Sequence, residues 1–344
     1  MKKFLFAILT ASCACGAWAS EPAAEPAATS EKFSYMPQIH GVVRARWEND
    51  LDAGLSRFQL RNTRLTVSGN IAPSIDYFLQ ADLCDRGSMK FLDGYARIRI
   101  VKGLSFQAGQ FRMPFGIDMF RAPANYIFSN RSFMGKQVCN VRAVGAKATY
   151  AIPSTPLTLE AGLFNPTSIY DQLGYYKTYA YAGRAILNLP AGFSMQAGYM
   201  SLAPDQVRMN MVDAGITWNS THWTVEAEYL HEHYTKDAHK ATHAYNFWTS
   251  YRFPVNAGVF NQLAFQGRFD GMTAHSSGVR NSDGLLISND PARNRVTVGA
   301  TLSFIQKPVW LDVRVDYEKF FYHKGVVAPV GDGDRLVAEL VLRF

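Results

Sequence analysis

Apolar and polar side chains alternate along most of the chain with a period of two residues. In the last segment, 335–344, alanine, leucine and phenylalanine fall on one face, and arginine, glutamate and valine fall on the other. Segments 311–318, 75–83 and 223–229 repeat this pattern. Such an alternation predicts β-strands that have one apolar and one polar face. From Gln38 onward it predicts strands throughout the chain.

The connections between the predicted strands alternate between tight links and longer polar segments. The tight links lie near residues 73–74, 102–103, 153–156, 190–192, 219–221, 254–258 and 306–308. The longer segments lie near 49–55, 84–89, 113–141, 166–177, 202–209, 232–242, 271–293 and 321–333. A soluble β-sandwich also has alternating strands, but strands of about ten residues with connections of alternating length are typical of a membrane barrel. The prediction is an all-β fold, a transmembrane antiparallel β-barrel of about sixteen strands with a water-filled bore.

The two ends of the chain predict export and closure. Residues 1–19 combine lysines, an apolar run and a small-residue cleavage site, as a secretory signal peptide does. Lipoprotein processing at Cys13 or Cys15 is the less favoured alternative, because neither follows a good lipobox. A flexible leader at 20–37 and a barrel domain at 38–344 complete the expected organisation.

The first and last strands are expected to pair, because a sheet in lipid cannot leave an open edge. Short turns would then face the periplasm and long loops the outside of a bacterial outer membrane. An even number of strands places both termini in the periplasm. The terminal Phe344 resembles the signal that the barrel-assembly machinery reads, with an ordinary edge strand as the alternative.

Charge and cysteine content narrow the range of partners. The chain has 35 Lys and Arg against 28 Asp and Glu, a formal net charge of +7. Export argues against nucleic acid, so soluble anions or anionic lipid are the expected partners. Cys84 and Cys139 remain after the signal peptide, and both fall near predicted outer segments. They form a candidate disulfide, with two free thiols as the alternative, because sequence does not fix their separation.

Arginines recur on the polar faces of the early strands. The predicted pore-lining residues are Arg44, Arg46, Arg57, Arg61, Arg64, Arg97 and Arg99. A change of parity after Arg61 predicts a β-bulge near Asn62 and Thr63. Because neighbouring strands lie about 4.8 Å apart, the arginines could form a ladder suited to oxyanions. The alternative is that they pair with acids such as Asp76 and Asp82 and merely fill space.

Several segments together resemble the phosphate-selective porin O and P family. The carrying residues are Arg57 to Arg61, Arg64, Leu65 and Gly69, the run Gly109 to Gly116, and the shorter segments at 164–165, 182–184 and 226–229. The resemblance implies a sixteen-stranded trimeric porin whose third loop folds into the bore. Segment 113–141 is similar to that loop in position and length. The charges assigned to this constriction loop are Arg112, Asp118, Arg121, Arg131 and Lys136.

These expectations combine into a function. We expect passive diffusion of small hydrophilic solutes through a homotrimeric porin, with a preference for anions such as phosphate. A general or sugar-type porin, with aromatic residues along the bore, is the alternative. The histidines near His231 and His233 lack zincin spacing, and no catalytic motif is recognisable. No metal, cofactor, enzyme activity or nucleic-acid partner is therefore predicted.

Overall fold

The computed structural model describes residues 34–139, 141–166, 169–202, 207–322, 326, 328 and 331–344. The predicted signal peptide and most of the leader lie outside these residues. The described residues form sixteen strands: β1 Gln38–Asp50, β2 Leu55–Ala72, β3 Ile75–Asp85, β4 Ser88–Val101, β5 Leu104–Arg112, β6 Arg142–Ala151, β7 Leu157–Phe164, β8 Ala180–Asn188, β9 Phe193–Leu202, β10 Met209–Asn219, β11 Trp223–Tyr234, β12 Thr242–Ala257, β13 Phe260–Met272, β14 Arg293–Gln306, β15 Val309–Tyr322 and β16 Arg335–Arg343.

The strands form one closed antiparallel barrel in which each strand pairs with its neighbours in sequence. The first strand closes the barrel on the last, from the pair Val42 and Arg343 to the pair Asp50 and Arg335. Closure pairs the backbone groups that an open edge would leave unsatisfied in lipid. The predicted all-β barrel, its strand number and its closure are confirmed.

Strand β16 shows how the alternation is used. Val337, Glu339 and Val341 are buried inside the barrel, whereas Leu340 and Phe344 face outward and are exposed. Charged residues thus face the interior and apolar residues face the outside, as a barrel in lipid requires. The exterior is the side that is apolar, in contrast to a soluble sandwich.

The predicted bulge is present in strand β2. Arg44 pairs with Asn62 while the next residue, Ala45, pairs with Leu60, so Arg61 is the extra residue. An extra residue in one strand shifts the facing of side chains on either side of it. This keeps both Arg61 and Arg64 on the inner face, which explains the change of parity in the sequence.

The predicted longer segment at 84–89 is wrong. Strands β3 and β4 continue until only Arg86 and Gly87 separate them. Both residues have positive φ, 55° and 91°, the left-handed pair that a two-residue hairpin turn requires. The polar residues of this segment therefore belong to the two strands and not to a loop.

The helices of the described residues are short. They are the 3₁₀ turns Asp118–Phe120, Pro123–Asn125, Pro190–Gly192 and Thr235–Asp237 and the π-helical turn Met134–Val138. Three of these five turns lie in the connection between β5 and β6, the longest between two consecutive strands. None of the described helices has the length and apolar character to cross a membrane.

Candidate functional site

The connection between β5 and β6 lies inside the barrel in its described residues, 113–139 and 141, and is called here the bore loop. Wall arginines donate hydrogen bonds of 2.6–2.8 Å to its backbone carbonyls: Arg44 to Ser129, Arg268 to Asn130, Arg295 to Arg131 and Arg314 to Tyr126. These arginines come from β1, β13, β14 and β15. The bore loop therefore reaches across the interior to the opposite wall.

Wall carboxylates accept hydrogen bonds from the N–H groups of the bore loop. Glu228 on β11 accepts from the backbone N of Ile117 at 2.5 Å and of Asp118 at 3.0 Å. Gly116, with a φ of 74°, makes the turn that precedes these two N–H groups. Asp316 accepts from Ser129, and Asp270 from Phe133. Since an irregular loop leaves backbone groups unpaired, these side chains provide its missing partners.

An apolar cluster holds the other side of the bore loop. Met113, Phe115, Met119 and Met134 of the loop are fully buried. They belong to the same cluster as inward-facing apolar residues of the wall, namely Ala143, Phe164, Ala180, Met200, Met211 and Leu230. These inward apolar residues were not identified from the sequence. Methionine and alanine replace polar residues at inward positions there, but the period of two continues unchanged. On this side of the barrel the inner wall therefore packs against the bore loop and is not in contact with water.

The charges assigned to the constriction loop are mostly neutralised by ion pairs. Arg121 lies 2.9 Å from Asp118 and 2.5 Å from Glu226. Although burial opposes it, the ion pairs with Arg131 and Arg121 lower the pKa of Asp118 below its usual value. Asp118 is therefore ionised at neutral pH, and Arg121 and Arg131 do not act as bare charges.

Arg112 and Lys136 differ from their neighbours. The Arg112 guanidinium donates to the backbone oxygens of Met119 and Arg121, and no ion pair joins it to a carboxylate of the described residues. Lys136 likewise forms no ion pair within that part of the chain. These two of the predicted site residues carry positive charge without an ion pair to a carboxylate of the described residues.

The predicted arginine ladder divides into two groups. The exposed fractions of the Arg57, Arg97 and Arg99 side chains are 58%, 28% and 39%. Those of Arg44 and Arg46 are 1% and 4%. The prediction that all seven arginines line the pore is therefore corrected for Arg44 and Arg46, which are buried.

Arg44 and Arg46 are buried because the bore loop covers them. Arg44 donates to Ser129, and Arg46 donates to the Asn130 Oδ1 atom at 2.9 Å. Both guanidiniums also meet wall carboxylates, at 2.6 Å for Arg44 and Glu339 and 2.7 Å for Arg46 and Glu48. These two arginines hold the loop in place.

The arginines on β2 and β4 face the remaining space and are also paired. Arg61 pairs with Asp85 and Arg64 with Asp82, while one carboxylate, Asp76, serves both Arg97 and Arg99. Cations are nevertheless in excess on the wall of β2, β3 and β4. They are Arg57, Arg61, Arg64, Lys90, Arg97 and Arg99, against the acids Asp76, Asp82, Asp85 and Asp93.

The candidate disulfide is absent, because both cysteines are free. The Cys139 thiol lies in the apolar cluster and contacts the Met134 carbonyl oxygen at 3.3 Å. The Cys84 thiol contacts the Leu60 carbonyl oxygen on the neighbouring strand at 3.7 Å. The prediction treated both as rim residues, but the fold places Cys139 in the buried apolar cluster of the bore loop and Cys84 on β3.

A row of aromatic rings crosses the inner wall from β3 to β7. Phe78 stacks on Tyr95 with ring centroids 5.2 Å apart. Tyr95 meets Phe111 edge-on at 5.7 Å, and Phe111 meets Phe164 at 5.4 Å. Phe111 and Phe164 are buried, but Phe78 and Tyr95 remain partly exposed. The described residues contain no group of three or more His, Cys, Asp or Glu able to hold a metal ion.

Comparison with known families decides the class of the protein. The family described as "Putative beta-barrel porin-2, OmpL-like" matches residues 78–344. The chain belongs to this family. The OmpL-like porin chain is thus an outer-membrane β-barrel, and the predicted porin class is confirmed. Membership of the porin O and P family stays a prediction, since the matching family is a different one.

Solved porin structures share the fold. The anion-selective porin from Comamonas acidovorans has 11% identity and a TM-score of 0.60 over 90% of this chain and 98% of its own. OmpF of Salmonella typhi, in complex with daunomycin, has 13% identity and a TM-score of 0.61 over 90% and 97%. The trimer form of OmpT from Vibrio cholerae has 9% identity and a TM-score of 0.58 over 90% and 98%. No curated protein matches in sequence. At these identities the likeness shows the fold alone.

Proposed function

We propose that this OmpL-like porin passes small hydrophilic solutes by passive diffusion and prefers anions. The observation that carries the proposal is the wall of β2 to β4, where arginines stay partly exposed and cations exceed carboxylates. The bore loop covers the opposite wall, so a solute would pass along the arginine side. A guanidinium keeps its charge at any working pH and attracts anions over short distances.

The remaining features of the proposed channel follow from the sequence. Short turns and both termini face the periplasm, Phe344 serves assembly, and residues 1–19 direct export. Three copies assemble in the membrane, as in the trimer form of OmpT. Phosphate is the proposed oxyanion within the anion preference, because a guanidinium can bind two of its oxygens at once.

Reversal potentials in a potassium chloride gradient test the anion preference. In R97Q/R99Q we expect the chloride-to-potassium permeability ratio to fall about fivefold, because each charge facing water contributes on the order of RT to a passing ion. Asp76 would also lose both its cations. R280Q, which alters an exposed outer loop, should leave the ratio unchanged. A ratio that is the same in R97Q/R99Q and wild type would refute the proposal.

A sugar-type porin is the second candidate, favoured by the stacked pair Phe78 and Tyr95 on the open wall. Aromatic faces contact the apolar faces of sugar rings, so such a pair can guide a sugar. Liposome swelling with a disaccharide would then slow in F78A/Y95A while ion selectivity stays the same. The anion proposal instead expects F78A/Y95A to leave swelling little changed; both hypotheses expect its permeability ratio to stay close to wild type.

A further inference from the structure

The outward face of β5 to β9 carries an apolar groove of about 900 Å³. Its floor is made of small residues: Ala146, Ala148, Ala161, Gly183, Ala185 and Ala197. The register joins them across strands, since Ala148 pairs with Ala161, and Ala161 pairs with Gly183. The missing side chains on adjacent strands therefore form one continuous depression in the lipid-facing wall.

The groove is a local feature of the outer surface. On β12 and β13 the corresponding outward positions hold Phe247, Phe265 and Phe269, which project from the wall and are exposed. A depression in a lipid-facing surface has to be filled by apolar atoms, because atoms that line a void lose their van der Waals contacts. Small residues permit close approach of whatever fills it. A single extended acyl chain has the shape to do so.

One end of the groove is polar and positively charged. Tyr181 and Tyr199 line the groove toward the long-loop end of the barrel. The Arg208 guanidinium lies 5.1 Å from the centre of the Tyr181 ring. Its hydrogen bonds within the described residues go to neutral oxygens, those of Thr178, Tyr179 and Ser201. Tyrosine and arginine in this position are typical of the boundary between hydrocarbon and lipid headgroups.

We propose that the groove binds one lipid that carries a phosphate headgroup. Its acyl chain occupies the floor of small residues between Ala146 and Ala197. Its phosphate meets Arg208, with the Tyr181 and Tyr199 rings at the boundary. An apolar groove with a cation at one end complements an anionic amphiphile in both shape and charge. The site is independent of solute passage, because it lies on the outside of the barrel.

Native mass spectrometry of the purified full-length barrel in detergent tests this site. The probes are dimyristoyl phosphatidylglycerol, the neutral dimyristoylglycerol and inorganic phosphate. We expect one tightly bound phosphatidylglycerol per chain, weaker binding of the neutral lipid and no retention of inorganic phosphate. A161F, which fills the floor, should weaken both lipids about tenfold or more. R208Q should weaken phosphatidylglycerol alone, about fivefold.

Matched controls separate the groove from the general surface. A300F places the same ring on the lipid-facing side of β14, and R280Q removes an arginine from another outer loop; neither should change lipid binding. If A161F does not assemble, A146L makes the same prediction with a smaller side chain. Equal lipid affinity in the groove variant and A300F would overturn the proposal. So would retention of inorganic phosphate in place of lipid, or a change of oligomeric mass in the groove variant, which would make the groove a contact between copies.

Discussion

Two walls of the same barrel use the same residue types differently. On β3 and β4, Arg97 and Arg99 share Asp76 and keep 28% and 39% of their side-chain surfaces exposed. On β13 to β15, Arg295 pairs with both Asp270 and Glu318 and is 2% exposed. Both walls carry arginines and carboxylates at inward positions. What differs is that the bore loop lies against one wall and leaves the other open.

The comparison shows that an inward arginine has no fixed role. On the covered wall, arginines and carboxylates satisfy the backbone of the bore loop, so they determine where this loop lies. On the open wall, similar pairs face the remaining space and determine its field. The first set positions the loop, and the second set is proposed to meet the solute.

The largest expected effect is on stability and separates the two walls. Glu318 lies against Arg268, Arg295 and Arg335, so E318A leaves buried guanidiniums without their shared carboxylate. We expect a loss of about 3–5 kcal/mol in the free energy of unfolding. The matched change on the open wall, D76A, should cost about 1 kcal/mol or less, because water reaches Arg97 and Arg99.

Urea unfolding of the barrel in lipid vesicles, followed by tryptophan fluorescence, measures both values. The E318A channel should also show altered single-channel conductance, because the bore loop loses part of its support. Equal losses in the two variants would show that the walls do not differ in the way described.

A smaller effect concerns the charge of the bore loop. Desolvation by the surrounding barrel lowers the pKa of Lys136 to about 8, although part of the side chain stays exposed; Asp332 opposes the shift, and Arg335, Arg295 and Arg293 add to it. As pH rises through this value the lysine loses its positive charge. The anion preference should therefore fall between about pH 6.5 and about pH 9.5.

Reversal potentials at the two pH values test the titration of this lysine. K136R, which stays charged, should keep the preference unchanged across the range, and K136Q should hold it at the lower level. A wild-type protein and K136R that respond to pH in the same way would assign the change to another group.

The smallest expected effect is a difference in thiol reactivity between the open wall and the covered side. Cys84 on β3 is partly exposed, whereas burial raises the pKa of the Cys139 thiol well above its ordinary value. A maleimide should label Cys84 in the folded barrel and Cys139 only after unfolding. A non-reduced protein lighter by two hydrogen atoms would instead show a disulfide.

The barrel could be predicted because its evidence is local. The alternation in 335–344 and the parity change after Arg61 depend on neighbouring residues, and strand geometry converts them directly into facing and register. The turn at Arg86 and Gly87 was missed because polar residues suggested a loop, although a glycine beside a residue able to adopt positive φ also suits a tight hairpin.

The candidate site could be predicted only in part. Sequence placed Arg44, Arg46, Arg97 and Arg99 on inner faces, and they are there. It could not separate the first two from the last two, because that depends on which wall the bore loop meets more than 80 residues away along the chain.

The sequence by itself determined that this chain is a closed membrane barrel with a charged interior, because a period of two fixes the facing of each side chain. Only the tertiary structure decided which charges stay exposed to the bore, left Cys84 and Cys139 unbridged, and brought Arg208 to the end of a groove of alanines. Each of these depends on packing between distant segments. Charges that look equivalent along the chain then differ in desolvation and in partners.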